Sequence, residues 1–234
     1  MSIAENIARV RERIAAAAAR VGRDPHSITL MAVTKTVDRE RIRQAVEASV
    51  RVFGENRVQE FEEKFPDAED RKDADWHLIG HLQSNKVRKA AEIFDAVDSL
   101  DSVRLAEKLD HAAAVAAKVL PVLVEINVGG EESKTGIPLD SPALDDLLSA
   151  MPRFEHLQVR GLMAVPPFTP NPEAARPYFR LVRDLRDSIA ARRLPRIQMD
   201  VLSLGMSHDF EVAIEEGSTC VRVGTAIFGE RPQP

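Results

Sequence analysis

Eight short apolar runs recur along this chain, and each is followed by a segment of helical character. They read as strands at 28–34, 51–53, 76–80, 95–98, 120–127, 157–163, 199–203 and 220–223. Helices are predicted from Asp38, near Asn56, from Ser84, from Ser102, near Ser141, from Glu173 and from His208, with a short one after Gly224. Asp38 and Ser84 are good N-cap residues. A further helix precedes the first strand, opened by a Ser2/Glu5 capping box and stopped after Val21 by Gly22. The first run, Ile28-Thr29-Leu30-Met31-Ala32-Val33-Thr34, lacks the alternation of a half-exposed strand. It reads as buried on both faces, as in a parallel sheet covered by helices. Eight such units, with no long linker, predict one domain over residues 1–234: a single (β/α)8 TIM barrel with an extra N-terminal helix. An open doubly wound sheet shares this periodicity and is the structural alternative.

Composition narrows the function classes. The net charge is -5, so no overall basic field invites nucleic acid. The arginines between Arg176 and Arg196 are interspersed with Asp184 and Asp187 and read as a solvated helix face. Cys220 is the single cysteine, which excludes an internal disulfide and a multi-cysteine metal site. It opens the last strand and reads as an inert buried thiol. No apolar stretch approaches a membrane span of roughly 18 residues. The N-terminus lacks a signal-peptide core, so a cytoplasmic protein is expected, with no membrane and no metal partner.

In a barrel, the C-terminal strand ends share one rim, and sites are built there. Polar or glycine residues stand at these ends: Lys35, Gly54-Glu55-Asn56, His81, Ser99, Asn127, Met163 as an apolar exception, Ser203 to Ser207, and Arg222 to Thr225. Lys35 is either a Schiff-base lysine or a side chain snorkelling to water past the strand end. The loops after strands seven and eight suit a phosphate: Ser203, Gly205 and Ser207 on one, Gly224 and Thr225 on the other. The plainer reading of Ser207 is a cap for the helix from His208. Arg222 interrupts a strand that should be buried, so its guanidinium needs a partner, either a carboxylate such as Glu125 or an acceptor on a bound ring. His77 and Trp76 read as core packing. Lys86, Arg88 and Lys89 read as a solvated helix start, or as a surface phosphate site for an incoming ligand. A lysine, a phosphate cradle and an interior arginine together suggest pyridoxal 5′-phosphate (PLP).

At these residues the chain resembles the pyridoxal-phosphate homeostasis protein family, related to the N-terminal barrel of alanine racemase. The matching segments are LMAVTKT, VFGENRVQE, WHLIGHLQSNK, VDSLD, LVEINVGGEESKTG, VRGLMAV, LSLGMSHDFEVAIEEGS and VRVGTAIFGER. The resemblance implies a PLP fold of type III without its C-terminal β-domain. It implies a covalent aldimine at Lys35, phosphate held by Ser207, Gly224 and Thr225, and Arg222 at the ring nitrogen. Asn56, His81, Met163 and Ser203 match pocket-lining positions. The implied function is to carry and buffer the cofactor in vitamin B6 homeostasis, with PLP-dependent apoenzymes as recipients.

No catalytic residue is assigned. An arginine at the ring nitrogen disfavours ring protonation and weakens the electron sink. Alanine racemases of this fold also use a partner-subunit tyrosine and a second β-domain. The only tyrosine here is Tyr178, expected on a helix in a packing role. A monomer is therefore expected. The alternatives are an amino-acid racemase of weak or narrow activity, with His81 as a second base, and a cofactor-free Schiff-base aldolase.

Overall fold

The computed structural model describes residues 2–131 and 135–230. The ESK portion of LVEINVGGEESKTG and Arg231 of VRVGTAIFGER lie outside the described residues. Strands β1 (Thr29–Val33), β2 (Val52–Glu55), β3 (Asp75–Leu78), β4 (Ala96–Leu100), β5 (Leu120–Asn127), β7 (Leu157–Ala164), β8 (Ile197–Met206) and β9 (Cys220–Val223) pair in parallel. Their order is β4-β3-β2-β1-β9-β8-β7-β5, and a β4–β5 pairing closes the ring. The predicted barrel is thus the observed one, and the open sheet is excluded. A two-residue strand, β6 (Ile137–Pro138), adds to β5 outside the ring. It is too short to leave a periodic signal.

Around the ring stand α2 (Arg39–Glu47), α3 (Val58–Lys64), α4 (Val87–Ile93), α5 (Val103–Val115), α6 (Ala143–Ala150), α7 (Arg176–Ala191), α8 (Phe210–Glu215) and α9 (Thr225–Phe228). Asp38 and Ser102 cap α2 and α5 through their side chains. Ser84 does not cap: it lies inside a 3-10 turn (Ser84–Lys86) that precedes α4, with Gln83 at the cap position. The N-terminal helix α1 (Ile3–Arg20) has the predicted capping box, with Glu5 N–H donating to Ser2 Oγ at 3.2 Å. Its buried face, Ile3, Ile7, Val10, Ile14, Ala17 and Ala18, follows the helical repeat. Burying each large aliphatic side chain contributes about 1.5–3 kcal/mol. That face packs on α8 and α9, and Asn6 Nδ2 donates to the Ile227 carbonyl at 2.7 Å. The extra helix therefore braces the two short helices that follow β8 and β9.

Strand residues alternate between two environments. Val122, Val124 and Ile126 join the apolar cluster between sheet and helices. Met31, Leu123, Met163 and Cys220 are buried apart from that cluster, inside the barrel, with Asp98, Glu125, Ser203 and Arg222, and the half-buried His77 stands beside Asp98. His77 is not plain core packing: its Nδ1 lies 3.1 Å from Asp98 Oδ1 in the barrel's lower half. Trp76, by contrast, is buried among Phe53, Phe61 and Phe65 on the helix side. The arginines of α7 are not simply solvated. Arg176, Arg180 and Arg183 all pair with Glu216, and Arg176 also with Glu215, which fastens α7 to α8. No helix among the described residues is long and apolar enough to cross a membrane.

Candidate functional site

The rim at the C-terminal strand ends is built in three sectors. In the first, β1 lies between β2 and β9. Lys35 follows β1 by two residues and lines a narrow cleft with Thr36, Arg41, Gly224, Thr225 and Phe228. Arg41 gives no signal in the sequence; it enters the cleft from the first turn of α2 and donates to the Phe228 carbonyl. The register Ala32↔Val223 brings the next residues, Val33 and Gly224, side by side.

Gly224 has φ -113°, which any residue adopts, and a Cβ there would come no closer than 3.5 Å to the Val33 carbonyl oxygen. Nothing within the protein therefore demands glycine at this position. The absent side chain leaves the backbone open to close approach by a ligand. Gly205 is different. Its φ is +87°, and a Cβ there would lie only 2.6 Å from the Ala213 Cβ, so glycine is required where β8 turns toward α8.

Ser207 is the second sector. It does not cap α8, whose N-cap is Asp209. Its Oγ instead accepts the backbone N–H groups of Gly224 and Ala226, each at 3.2 Å. The hydroxyl thus gathers donors from the β9 loop at one point, a donor set suited to a phosphate oxygen.

Arg222 forms the floor. It is 4% exposed, and its Nη1 donates to the Ser203 carbonyl at 2.6 Å and to Ser203 Oγ at 2.7 Å. Nη2 donates to the Ala164 carbonyl at 2.9 Å. Of the two partners considered for Arg222, the carboxylate is not used: Glu125 Oε1 accepts from Thr135 Oγ1 at 2.7 Å. These bonds use three of the five guanidinium donors. Burial lowers the Arg222 pKa, opposed by Cys220, Asp98, Asp209 and Glu125. Burial also raises that of Glu125, against the Thr135 hydrogen bond. Met163 of β7 sits beside Ser203 in register and is 1% exposed. Cys220, below Arg222, is buried and its thiol is pushed up to about 12 by desolvation first.

The third sector is a cleft of about 760 Å³ between the loops after β2 and β3, lined by Asn56, Arg57, Glu60, His81, Gln83 and Lys86. Gly80 holds those loops together, since a Cβ there would lie 2.3 Å from the Asn56 carbonyl oxygen. His81 Nδ1 is 3.8 Å from Asp101 Oδ2. Lys86 joins this cleft, whereas Lys89 pairs with Glu62 at 3.1 Å. Asn56 and His81 therefore stand on the same rim as Lys35 but line a separate concavity. Tyr178 packs partly buried against the core from α7.

The donor set fits PLP: an amine at Lys35, converging N–H and hydroxyl groups at Ser207 and Gly224, and a buried cation at Arg222 between them on β9.

Comparison with known proteins agrees with this architecture. The family model for the alanine racemase N-terminal domain matches residues 2–232. A pyridoxal phosphate homeostasis protein of Aquifex aeolicus (strain VF5) is 44% identical over 231 residues, covering 99% of both chains. One from Escherichia coli (strain K12) is also 44% identical over 231 residues, covering 98% of this chain and 97% of the other. The solved structure of PipY from Synechococcus elongatus PCC7942 with PLP bound superposes with a TM-score of 0.81 at 35% identity. It spans 97% of this chain and 100% of PipY. On these matches, the chain belongs to the family of pyridoxal phosphate homeostasis proteins, built on the alanine racemase N-terminal-domain fold.

Proposed function

We propose that this protein binds pyridoxal 5′-phosphate as a reversible aldimine at Lys35 and buffers the free cofactor for PLP-dependent apoenzymes. The carrying observation is the adjacency of Lys35, just past β1, to Gly224 and Thr225 after β9, with Ser207 Oγ already accepting the Gly224 and Ala226 N–H groups. The amine nitrogen forms a C=N bond to the aldehyde carbon and the carbonyl oxygen leaves as water, so no oxidant is needed. Ser207, Gly224 and Thr225 hold the phosphate in this reading. Arg222 meets the ring nitrogen, Met163 and Ser203 lie buried beneath it, and Asn56 and His81 face the ligand from the neighbouring concavity on the same rim. The protein works as a cytoplasmic monomer of one domain. The names of the relatives and the PLP-bound PipY structure support the reading.

The carrier and racemase readings part on one experiment. The PLP-loaded protein is incubated with an amino acid in deuterated water, beside apoenzyme reactivation from the same preparation. Reactivation without α-hydrogen exchange is expected; steady exchange of the α-hydrogen would establish the racemase instead.

A further inference from the structure

The helix side of the lysine-bearing strand end carries a largely buried charged network, of which only Glu60 also borders the cleft between the loops after β2 and β3. Lys64, at the end of α3, donates to the Thr34 carbonyl at 2.7 Å, to Glu55 Oε1 at 2.8 Å and to Glu60 Oε1 at 2.7 Å. An ammonium has three donors, so Lys64 is saturated. Thr34 Oγ1 also donates to Glu55 Oε1 at 2.8 Å. Glu60 Oε1 accepts, in addition, a hydrogen bond from the Thr36 N–H. Glu55 is fully buried, and the Lys64 side chain is 12% exposed.

The Thr34 carbonyl belongs to the peptide plane before the Lys35 Cα, and the Thr36 N–H to the plane after it. The orientations of those two planes define φ and ψ of Lys35, and with them the direction of its Cα–Cβ bond. Both planes are held by ionisable side chains from α3. Thr36 itself has φ +64°, a region that a β-branched residue occupies only when its surroundings impose it. The Glu60 carboxylate on its N–H is such an imposition.

We propose that Glu60 and Lys64, anchored on Glu55, are positioning residues that clamp the backbone on both sides of Lys35 and so aim its amine at the incoming carbonyl. The inference rests on Lys35 being the residue that bonds the aldehyde. It assigns α3 a role in the rate of covalent capture, separate from the phosphate-holding loops after β8 and β9. A preset direction removes the need to order the lysine during attack.

The test separates capture from binding. Covalent bond formation with pyridoxal 5′-phosphate is followed by stopped-flow absorbance. Noncovalent affinity is measured with pyridoxine 5′-phosphate, which carries an alcohol in place of the aldehyde. Glu60→Ala and Lys64→Met should slow bond formation by about tenfold or more while leaving analogue affinity within about threefold. Glu60→Gln, which keeps an acceptor for the Thr36 N–H, should recover to within about threefold of the parent rate. Unchanged rates, or equal losses of rate and analogue affinity, would overturn the clamp. Should Lys64→Met fail to fold, the Glu60 pair decides, because Glu60 is partly exposed.

If the parent protein forms no covalent bond at all, the functional reading falls, and the clamp is judged by amide hydrogen exchange at Thr36. Protection in the parent and Glu60→Gln, lost in Glu60→Ala, supports it. Equal exchange in all three overturns it.

Discussion

The Arg222 guanidinium grips Ser203 twice, through the carbonyl at 2.6 Å and the hydroxyl at 2.7 Å, and reaches past it to the Ala164 carbonyl at 2.9 Å. One side chain from β9 thereby ties the ends of β8 and β7 inside the barrel. Arg222→Met removes all three donors and leaves two buried carbonyls without them. The expected loss is about 2–4 kcal/mol, measured by chemical denaturation. Arg222→Lys should recover only part of it, because an ammonium lacks the planar fork that spans both strands. A loss below about 1 kcal/mol for Arg222→Met would show that the grip is dispensable.

Ser207 offers a test of the phosphate cradle. Ser207→Ala deletes the acceptor that gathers the Gly224 and Ala226 N–H groups. Affinity for pyridoxal 5′-phosphate should fall by about tenfold, and affinity for unphosphorylated pyridoxal should change by less than about twofold. Equal effects on both ligands, read by absorbance titration, would remove the phosphate from this loop.

The His77–Asp98 pair predicts a pH dependence. Burial alone would lower the His77 pKa, but the Asp98 carboxylate, by charge and by hydrogen bond, together with the charges of Asp75 and Asp95, outweighs it, so the pKa is raised above 6.5. A raised histidine binds its proton more tightly in the folded state. Its stabilisation is therefore complete below the unfolded pKa and fades as pH rises through the folded one. The stability gap between the parent and His77→Gln should be wider at about pH 5.5 than at about pH 9. A gap that does not vary with pH would place the pair outside the folding equilibrium.

The barrel is legible in the sequence because its strands are buried on both faces and end on polar residues or glycine at one rim. Lys35, Ser207, Arg222, Gly224 and Thr225 stand out by that placement. Other features leave weaker traces. Strand β8 runs from Ile197 to Met206, beyond the predicted 199–203: the exposed Gln198 masks its start, and Gly205, with φ +87°, reads in sequence as a turn near its end. Ser84 has the chemistry of a cap, but a 3-10 turn places Gln83 there instead. The α7 arginines read as solvated because their partners, Glu215 and Glu216, lie at the end of α8, far along the chain. Glu55, Glu60 and Lys64 give no signal as a unit. Only the placement of α3 beside the ends of β1 and β2 brings their charges onto the two threonines beside Lys35.

Absorption of the purified protein with added pyridoxal 5′-phosphate decides whether Lys35 bonds the aldehyde. The sample is reduced with borohydride and peptide-mapped, and Lys35→Ala is treated in parallel. The parent should show a visible aldimine band and a reduced adduct on the peptide containing Lys35, and the variant neither. No band in the parent, or an adduct mapped to another lysine, would contradict it.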